Sequence, residues 1–572
     1  MPARQHTMHA IFEYSWQLLT RDEQQTLARL SIFHGGCTRP VAQQVTGGSL
    51  RDLLSLVHKS LLIRHAATGR FTIHELLRQL AAEKLRALEQ ATAPLHRRAV
   101  TTIEAEYASA LAPYYSELAI HAEQGELVEK ARHYRQLAGD RARDAYQNEL
   151  ALEEYRHALR LTPPMAQAAA FHLHMERQAI THRMGRRAEQ AETLATLTTL
   201  AYHLEDDRKV SEVLICQARY AEALGHYGDA VTAAQAAVAL AEAVHADDLL
   251  ALGNLAWGVA LGRENAFAAA RERLEVAVRL AEAANLPQIA AEGLRNLGID
   301  AAYQNQSDLA KRYFAESLAI YRQQLDRPAE AAGLGNLAVL ALRSGDYQGA
   351  GPYLTEALVI FREIGDLRNA TITRSNLGSI AHKLGNDAEA EQHFTQALSI
   401  TAQTDDQQSR REAHSLLGHL LSDQARNAEA QAHYTAALSL AQALNVPGHV
   451  VEAQVGLAAL ALAAGDAAGA YQSLNPVLAA IDESTLAQAD DALRIYWRTY
   501  QILIANHDAQ ADTMLATAHQ QLQRLAAQLT DKALQQTFLQ DVPLHRLIMN
   551  AFVARGSVDD QSSVAVDRQI YS

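Results

Sequence analysis

Cysteine and proline are scarce in this chain, and each scarcity excludes a class of structure. The 572 residues include 2 cysteines, Cys37 and Cys216, which are too far apart in sequence to suggest a disulfide framework or a metal-binding motif. With 12 prolines and 29 glycines, the chain has few helix breakers for its length, as expected of an all-helical protein. The length exceeds that of one compact core, so several domains or an elongated array is expected.

Long apolar runs are also missing. No uninterrupted run reaches membrane-spanning length, and the N-terminus has no apolar core of signal-peptide length. We therefore expect a cytoplasmic protein without membrane contact. The net charge of −14 disfavours nucleic acid as the partner of the whole molecule. The charge is uneven, since residues 1–90 carry eleven basic and seven acidic residues, a net charge of +4, and the remainder carries −18.

Motifs for catalysis and nucleotide binding are absent as well. The chain has no G-x-x-x-x-G-K-[ST] loop, H-E-x-x-H, C-x-x-C or G-x-S-x-G. His172 and His174 alternate within a predicted helix, so they point to different faces and do not form a metal site. We therefore expect no enzymatic activity, no metal site and no cofactor.

An internal repeat is the strongest positive signal. Alanine recurs every forty residues, at Ala230, Ala270, Ala310, Ala350, Ala390, Ala430 and Ala470. Apolar residues follow each alanine at offsets of four and eight, and small or apolar ones at seven, which places all four positions on one face of an α-helix. Each alanine therefore marks the same helix of a repeated unit.

A second helix precedes each alanine. It carries Leu297, Leu337, Leu377, Leu417 and Leu457, each followed by Gly or Ala. Small residues let two helices cross closely, and turns such as Gly345-Asp346-Tyr347 and Gly385-Asn386-Asp387 predict that glycine ends the first helix in a left-handed conformation. Because one such pair cannot bury its apolar faces, stacking into a solenoid is expected.

This pattern resembles the tetratricopeptide repeat, lengthened to about forty residues. Gly335 to Ala338 and Ser344 to Ala350 are close to the family pattern. The resemblance implies an all-α fold, a right-handed tetratricopeptide-repeat superhelix, over residues 166–485. It also implies a weaker first part at 91–165, a degenerate repeat with capping helices at 486–555, and a disordered tail at 556–572.

The first ninety residues have a different pattern. Four helices, the second beginning at a Thr20/Glu23 capping box, precede two short strands around residues 67–69. Three helices followed by a β-hairpin predict a small winged-helix domain at residues 1–90, before the solenoid. Further on, the apolar spacing predicts one helix from Leu95 to about Glu123.

Residues 12–33, 56–62 and 70–81 resemble the winged-helix segment of STAND-type signalling ATPases, the group that includes NB-ARC proteins and bacterial regulators with tetratricopeptide sensor arms. Ile73-His74-Glu75 stands where that family has Met-His-Asp. The resemblance implies that His74 contacts the β-phosphate of bound ADP if an ATPase core is supplied. Alternatively, His74 only stabilises the start of a helix. Since the phosphate-binding loop is missing, either a nucleotide-binding protein supplies the core in trans or the chain retains only the downstream half.

The concave groove is the candidate ligand site. Resemblance to forty-residue repeats of the kinesin light chain type implies that Asn296, Asn336 and Asn376 hydrogen-bond the backbone of a bound peptide. By helical spacing, Arg343, Lys383 and His419 lie on the same face. Three interpretations of this surface remain open. It binds a protein or peptide ligand, it binds a small molecule, or its polar side chains only keep the surface soluble.

Three functions remain open. The first is a regulatory sensor that binds a protein or peptide in the groove, in STAND-type signal transduction or transcriptional regulation. The second is a standing interaction scaffold. The third is a DNA-binding winged-helix regulator, which would require Arg51, Arg64, Arg70 and Arg78 to cluster on one face; the leucine-rich helix at residues 50–62 is poorly suited to the major groove.

Overall fold

The computed structural model describes residues 11–88, 91–304, 306–402, 406–486, 489–529 and 531–555. The expected tail at 556–572 lies outside these residues. The chain forms two compact units, Met1–Gly225 (unit 1) and His226–Ser572 (unit 2). Across the described ranges, no helix is both long and apolar enough to cross a membrane.

Unit 1 begins with short helices and a small hairpin. The helices are α1, which includes residues 11–17, α2 (Arg21–Leu30), α3 (Arg39–Thr46), α4 (Leu50–His58) and α5 (Glu75–Leu88). Between α4 and α5, strands β1 (Ile63–Arg64) and β2 (Phe71–Thr72) pair antiparallel. The Thr20/Glu23 capping box is present at the start of α2. The helices and hairpin expected from the sequence are therefore formed.

The apolar core of these elements continues past residue 90. Phe12, Leu27, Leu56 and Phe71 belong to the same buried cluster as residues of the next helices, such as Ile103. These N-terminal elements therefore do not have a core of their own.

Seven α-helices complete unit 1. They are α6 (Ala93–Glu106), α7 (Tyr115–Gln124), α8 (Val128–Asp144), α9 (Asn148–Arg160), α10 (Gln167–Arg183), α11 (Arg187–His203) and α12 (Asp207–Ala223). The single helix predicted from Leu95 to about Glu123 is wrong. The chain leaves α6 at Tyr107 and forms a short 3-10 turn at Ala112–Tyr114, where Pro113 provides no backbone N–H for a continuous helix.

Unit 2 is an array of helices whose starts are spaced by twenty residues. They are α13 (Tyr227–Ala243), α14 (Asp247–Arg263), α15 (Phe267–Ala283), α16 (Pro287–Tyr303), α17 (Ser307–Gln323), α18 (Arg327–Arg343), α19 (Tyr347–Glu363), α20 (Leu367–Lys383), α21 (Asp387–Thr401), α22 (Gln407–Asp423), α23 (Asn427–Ala443), α24 (Pro447–Ala463) and α25 (Ala467–Leu478). The spacing then breaks. The last helices are α26 (Glu483–Leu486), α27 (Ala492–Ala505), α28 (Gln510–Ala527), α29 (Lys532–Gln540) and α30 (543–555).

The turns between helices share one conformation. The middle residue of the three-residue turn has a positive φ, as at Gly345 (70°) and Gly385 (83°), which confirms the prediction for these two glycines. The same conformation occurs without glycine at Asn265, Leu325 and Ala425. Five of the next residues are aspartates whose carboxylates accept a backbone N–H of the following helix: Asp206, Asp326, Asp346, Asp366 and Asp466.

Close helix crossings hold each pair together. All seven alanines of the forty-residue ladder are fully buried. The small residue of the first helix faces a large side chain of the second: a Cβ placed on Gly298 would lie 2.6 Å from the Phe314 ring. The predicted helical pairs are therefore present, and unit 2 is a helical repeat solenoid.

The first helices of successive pairs form an inner surface in unit 2. Contacts join α14 to α16, α16 to α18, α20 to α22, and α22 to α24. We call the surface of these helices the inner groove. The chain end returns to it, because Leu529 and Phe538 lie beside Gly345 in the α18–α19 turn, within 3.2 and 3.6 Å of a Cβ placed there.

Candidate ligand cavity in the inner groove

A cavity of about 690 Å³ lies in the inner groove of unit 2. Its walls come mainly from α20, α22 and α27, together with residues 542–547 of the returning chain end. We call it the groove cavity. Apolar surface comes from Tyr347, Leu416 and Trp497. Apart from histidines, the lining also contains three basic and five acidic side chains: Lys383, Arg494, Arg498, Asp387, Glu412, Asp423, Asp490 and Asp491.

Three of the six predicted groove residues meet in this cavity, namely Asn376, Lys383 and His419. Asn296 and Asn336 do not line it. Arg343 borders a separate space of about 20 Å³ beside Leu529 of the chain end. The six positions were expected on one helix face, but the structure brings only half of them together in one cavity.

The predicted asparagines differ in whether their amides are free to bind. Asn296 is buried, and its Nδ2 donates a hydrogen bond to the carbonyl of Glu292, 2.8 Å away in the same helix. Asn376 is partly exposed in the groove cavity, and its amide has no hydrogen-bond partner among the described residues. Because an amide can donate and accept at once, Asn376 is the asparagine that is suited to bind a ligand.

Asp423 connects the inner groove to α27. Its carboxylate accepts hydrogen bonds from Arg494 and Arg498, both at 2.7 Å, and lies 3.2 Å from Nε2 of His382. Burial by itself would raise the pKa of Asp423, but the charge of Arg494 and the hydrogen bond from His382 hold it well below its usual range. Asp423 is therefore ionised, and its charge is balanced within the protein.

A second layer of polar groups lies behind the cavity wall. Nδ1 of His419 is 2.9 Å from the Tyr434 hydroxyl, and its Nε2 is 3.0 Å from Glu452. The backbone N–H groups of Asp490 and Asp491 both donate to Glu452, at 3.0 Å. Burial opposes ionisation of Glu452, but the hydrogen bonds from His419 and His449 lower its pKa, so this carboxylate is ionised and anchors the start of α27.

Ser415 completes a Ser-His-Glu grouping that lacks the geometry of a catalytic triad. Its hydroxyl is 3.3 Å from Nε2 of His419, the same nitrogen that faces Glu452. In a triad, the nucleophile and the acid bind different nitrogens of the histidine, so that the ring can accept a proton from one side. Because Ser415 and Glu452 share one nitrogen, the grouping fits a structural network.

His449, Glu452 and Asp490 could each offer one ligand atom to a metal ion, with these atoms all within 4.8 Å of one another. Asp490, however, is paired with Arg411, whose Nη1 is 2.6 Å from its carboxylate. Glu452 already accepts the bonds from His419 and α27. A cation would have to displace the Arg411 guanidinium, so this arrangement is better suited to an ion-pair network than to a metal site.

Glu412 differs from the other carboxylates of the cavity. Among the described residues, its carboxylate makes no hydrogen bond and no ion pair, although it is only partly exposed. Its helical neighbour Arg411 binds Asp490 instead. Burial, together with the charge of Asp490, raises the pKa of Glu412 to about 7. Perturbed and unpaired carboxyl groups in cavities are typical of functional sites.

His74 belongs to unit 1. It is exposed between β2 and α5, and its backbone carbonyl accepts the N–H of Arg78 at 2.9 Å. Among the basic residues considered for DNA, Arg78 donates to Glu75 and to the Ser31 carbonyl, and Arg70 donates to the Gly36 carbonyl. Two of the four guanidinium groups are thus engaged within the protein.

The sequence did not identify Glu412, Asp423 or the α27 arginines as site residues. One signal was present: the position that holds Arg343 and Lys383 in successive pairs holds Asp423 in the next. A change of charge sign within an otherwise regular repeat indicates a local partner. The partners themselves, Arg494 and Arg498, lie outside the regular repeats and could not be placed by spacing.

Comparison with known proteins identifies the repeats. Models of the tetratricopeptide repeat match residues 328–403 and residues 412–444. No curated protein matches the chain. Among solved structures, a STAND protein with a tetratricopeptide repeat sensor from Pyrococcus horikoshii is 15% identical, with a TM-score of 0.44. The match covers 83% of this chain and 66% of that protein, so this chain spans just under two thirds of its length.

Two solved structures of Rap proteins are also similar to this chain. A Rap protein complexed with competence and sporulation factor is 15% identical with a TM-score of 0.39, and the match covers 68% of this chain and 99% of that one. The apo form of RapI is 14% identical with a TM-score of 0.43, over 62% and 97% of the two chains. The family matches, together with the observed helical pairs, show that residues 328–403 and 412–444 are tetratricopeptide repeats.

Proposed function

We propose that this protein is a non-enzymatic regulatory sensor whose inner groove binds a protein or peptide partner at the groove cavity. The observation that carries the proposal is an uncommitted polar surface inside the solenoid: Asn376 and Glu412 face the cavity without a partner among the described residues. Stacked helical repeats typically use their concave surfaces for binding. Tyr347 and Trp497 add the apolar contact that a peptide side chain needs.

The place of this sensor in a pathway is part of the proposal. The resemblance of residues 12–33, 56–62 and 70–81 to STAND-type ATPases supports signal transduction or transcriptional regulation. In this scheme the N-terminal helices and hairpin act as a winged-helix domain, and a nucleotide-binding protein supplies the ATPase core. His74 is exposed and is thus accessible to a phosphate. Signalling requires that the partner bind one conformation more tightly than another.

The cavity volume favours a second candidate. About 690 Å³ lies within the range of pockets for small molecules. The returning chain end at residues 542–547 also forms one wall, which limits the length of an extended chain that fits. A short peptide or a small molecule is therefore the alternative to a long segment of a folded partner.

The test compares the wild-type chain with a double variant of the cavity and with a control variant. Asn376→Ala together with Lys383→Ala removes cavity groups, whereas Asn296→Ala removes an amide that is bonded within its own helix. Each protein is used as bait in its native cytosol, and captured proteins and peptides are identified by mass. We expect a ligand that is retained by the wild type and by Asn296→Ala and lost from the double variant. Equal capture by all three folded proteins would contradict the assignment of the site.

A further inference from the structure

Three aspartates that line the groove cavity have arginine or histidine partners. Asp423 is paired with Arg494 and Arg498, and Asp387 lies 2.9 Å from Nδ1 of His382. Asp491 lies 3.5 Å from the Arg494 guanidinium. Glu412 is the carboxylate of this lining that remains without a partner among the described residues.

Glu412 has no ion-pair partner among the described residues, although the charges of Arg411 and His449 favour its ionised form and those of Asp490 and Asp406 oppose it. Arg411 precedes it on α22, but both of its terminal nitrogens bind Asp490, at 2.6 and 3.1 Å. Asp490 therefore holds this guanidinium, and it also repels a charge on Glu412. Lys383 is the last residue of α20, whereas Glu412 lies near the start of α22. The Lys383 ammonium lies 5.9 Å from the centroid of the Tyr347 ring. An ionised Glu412 therefore has no direct ion-pair partner in the described part of the chain.

We propose that the ligand of the groove cavity presents a cationic group, an ammonium or a guanidinium, to Glu412. This inference rests on the proposed function of the cavity and adds the charge of its ligand. A guanidinium suits the site because it forms two parallel hydrogen bonds with one carboxylate. The aromatic rings of Tyr347 and Trp497, which also line the cavity, suit the flat face or the carbon stem of such a group.

The protonation of Glu412 gives the proposal a second readout. Since its pKa is raised to about 7, Glu412 is mostly protonated at pH 6 and mostly ionised at pH 8. A cation binds the ionised form, so binding must release the proton when Glu412 carries one. Affinity for a cationic probe should therefore increase as the pH rises from 6 to 8, while the guanidinium stays charged throughout.

The probes are two blocked tripeptides of nearly the same shape. Acetyl-Ala-Arg-Ala-amide carries a guanidinium, and acetyl-Ala-citrulline-Ala-amide replaces it with a neutral urea. Both are titrated by calorimetry into the wild type, into Glu412→Gln, and into Glu292→Gln, which changes the equivalent position of α16 outside the groove cavity. Circular dichroism checks that each variant is folded.

We expect the wild type and Glu292→Gln to bind the arginine peptide about tenfold more tightly than the citrulline peptide. In Glu412→Gln this preference and its increase with pH should both disappear. If both peptides bind equally well and Glu412→Gln changes neither, the cationic ligand is wrong while peptide binding in the groove stands. If neither peptide binds the folded wild type, the groove cavity is not a peptide site and both proposals fail.

Discussion

The middle residue of a turn is under local strain where it is an ordinary L-residue such as leucine or alanine. Leu325 has a φ of 56° and Ala425 a φ of 57°. A left-handed conformation brings Cβ too close to the following carbonyl oxygen, which costs about 1–2 kcal/mol for an ordinary L-residue. The regular spacing of the helices imposes this conformation, so the turns containing Leu325 and Ala425 are less stable than those at Gly345 or Gly385.

Replacing Leu325 by glycine should therefore stabilise the protein. Leu325 is 80% exposed, so few contacts are lost with its side chain. After allowing for the greater freedom of glycine in the unfolded chain, we expect the free energy of unfolding to rise by about 0.5–1 kcal/mol. Urea titration followed by circular dichroism measures the change. The control, Ala315→Gly at an exposed position inside α17, should lower the same quantity by about 1 kcal/mol.

The left-handed glycines of the turns could be predicted from the sequence, whereas the left-handed Leu325 could not. Gly345 and Gly385 were predicted to be left-handed because glycine adopts that conformation without strain. Nothing in the side chain of Leu325 indicates the same turn, since leucine avoids it. The left-handed conformation of Leu325 follows from its position within the repeat. It is therefore indicated by the repeat register and not by the conformational preference of leucine.

Helix pairs depend on the fit between a small residue and a ring. A Cβ placed on Gly378 would lie 2.5 Å from the Phe394 ring, and Phe394 is almost completely buried. The ring cannot move away without disturbing the neighbouring pair, because protein interiors are closely packed. Each glycine at this position therefore sets the distance between its two helices.

Adding one methyl group at this crossing should be destabilising. We expect Gly378→Ala to lower the free energy of unfolding by about 1–3 kcal/mol through overpacking. Adding Phe394→Leu to this variant should recover part of the loss, since the two changes act on one contact. Gly335→Ala is the control, because a Cβ there meets nothing within 4 Å and should instead stabilise α18 by up to about 1 kcal/mol. Similar losses at both glycines would argue against the close crossing.

Two buried histidines join α6 to α7 in unit 1. Nδ1 of His96 lies 2.9 Å from Nδ1 of His121, and the Glu117 carboxylate is 4.0 Å from Nε2 of His121. Burial, with the added charge of His34, lowers the pKa of His96 to about 4. Burial and the neighbouring His96 lower that of His121 to about 3. Both rings are therefore neutral near pH 7.

This pair predicts a loss of stability in mild acid. Below the ordinary histidine pKa of 6.5 the unfolded chain binds protons that the folded pair does not, so stability falls as the pH drops from about 6.5 towards 4. We expect the double variant His96→Leu, His121→Leu to lose about 4 kcal/mol less than the wild type between pH 7.5 and 5, about 2 kcal/mol for each histidine. Urea titrations at the two values measure this. His203→Gln, at an exposed position, should leave the wild-type difference unchanged.

In unit 2 as a whole, residues that follow α28 pack against the turn between α18 and α19, far earlier in the chain. Leu529 and Phe538 flank Gly345, and Gln528 borders a space that is also lined by Ala302 and Ser307. The contact forms one side of the inner groove, and residues 542–547 close part of the groove cavity. A solenoid made only of neighbour contacts would not have this long-range connection.

Removing the Phe538 ring should loosen this closure. Phe538 is 7% exposed, so Phe538→Ala removes a buried aromatic side chain and should weaken the contact by about 2–4 kcal/mol. Hydrogen exchange should then become faster in the turn at residues 343–347 and in α29, while α14 to α16 keep their protection. Phe552→Ala is the matched control: its ring stacks on His519 with centroids 3.8 Å apart, so its loss should affect α28 and α30. Unchanged exchange at Gly345 would contradict the closure.

The repeats could be predicted from the sequence, whereas the binding cavity could not be predicted as a whole. A forty-residue period predicts which residues of α20 and α22 share a face, and three of the predicted residues, Asn376, Lys383 and His419, line one cavity. Arg494, Trp497 and residues 542–547 reach that surface from beyond the last regular repeat. Periodicity describes contacts between neighbours, so contacts between distant segments needed the three-dimensional structure.

The return of the chain end to Gly345 also bears on how such an array can evolve. Duplicating or deleting one forty-residue unit leaves the interfaces of an open solenoid intact, so repeat number drifts easily in families of that kind. Here, gaining or losing a unit between α19 and α27 would shift Leu529 and Phe538 away from the turn that they cover. The number of units in this stretch should therefore stay constant among descendants that keep the closure, while insertions accumulate elsewhere.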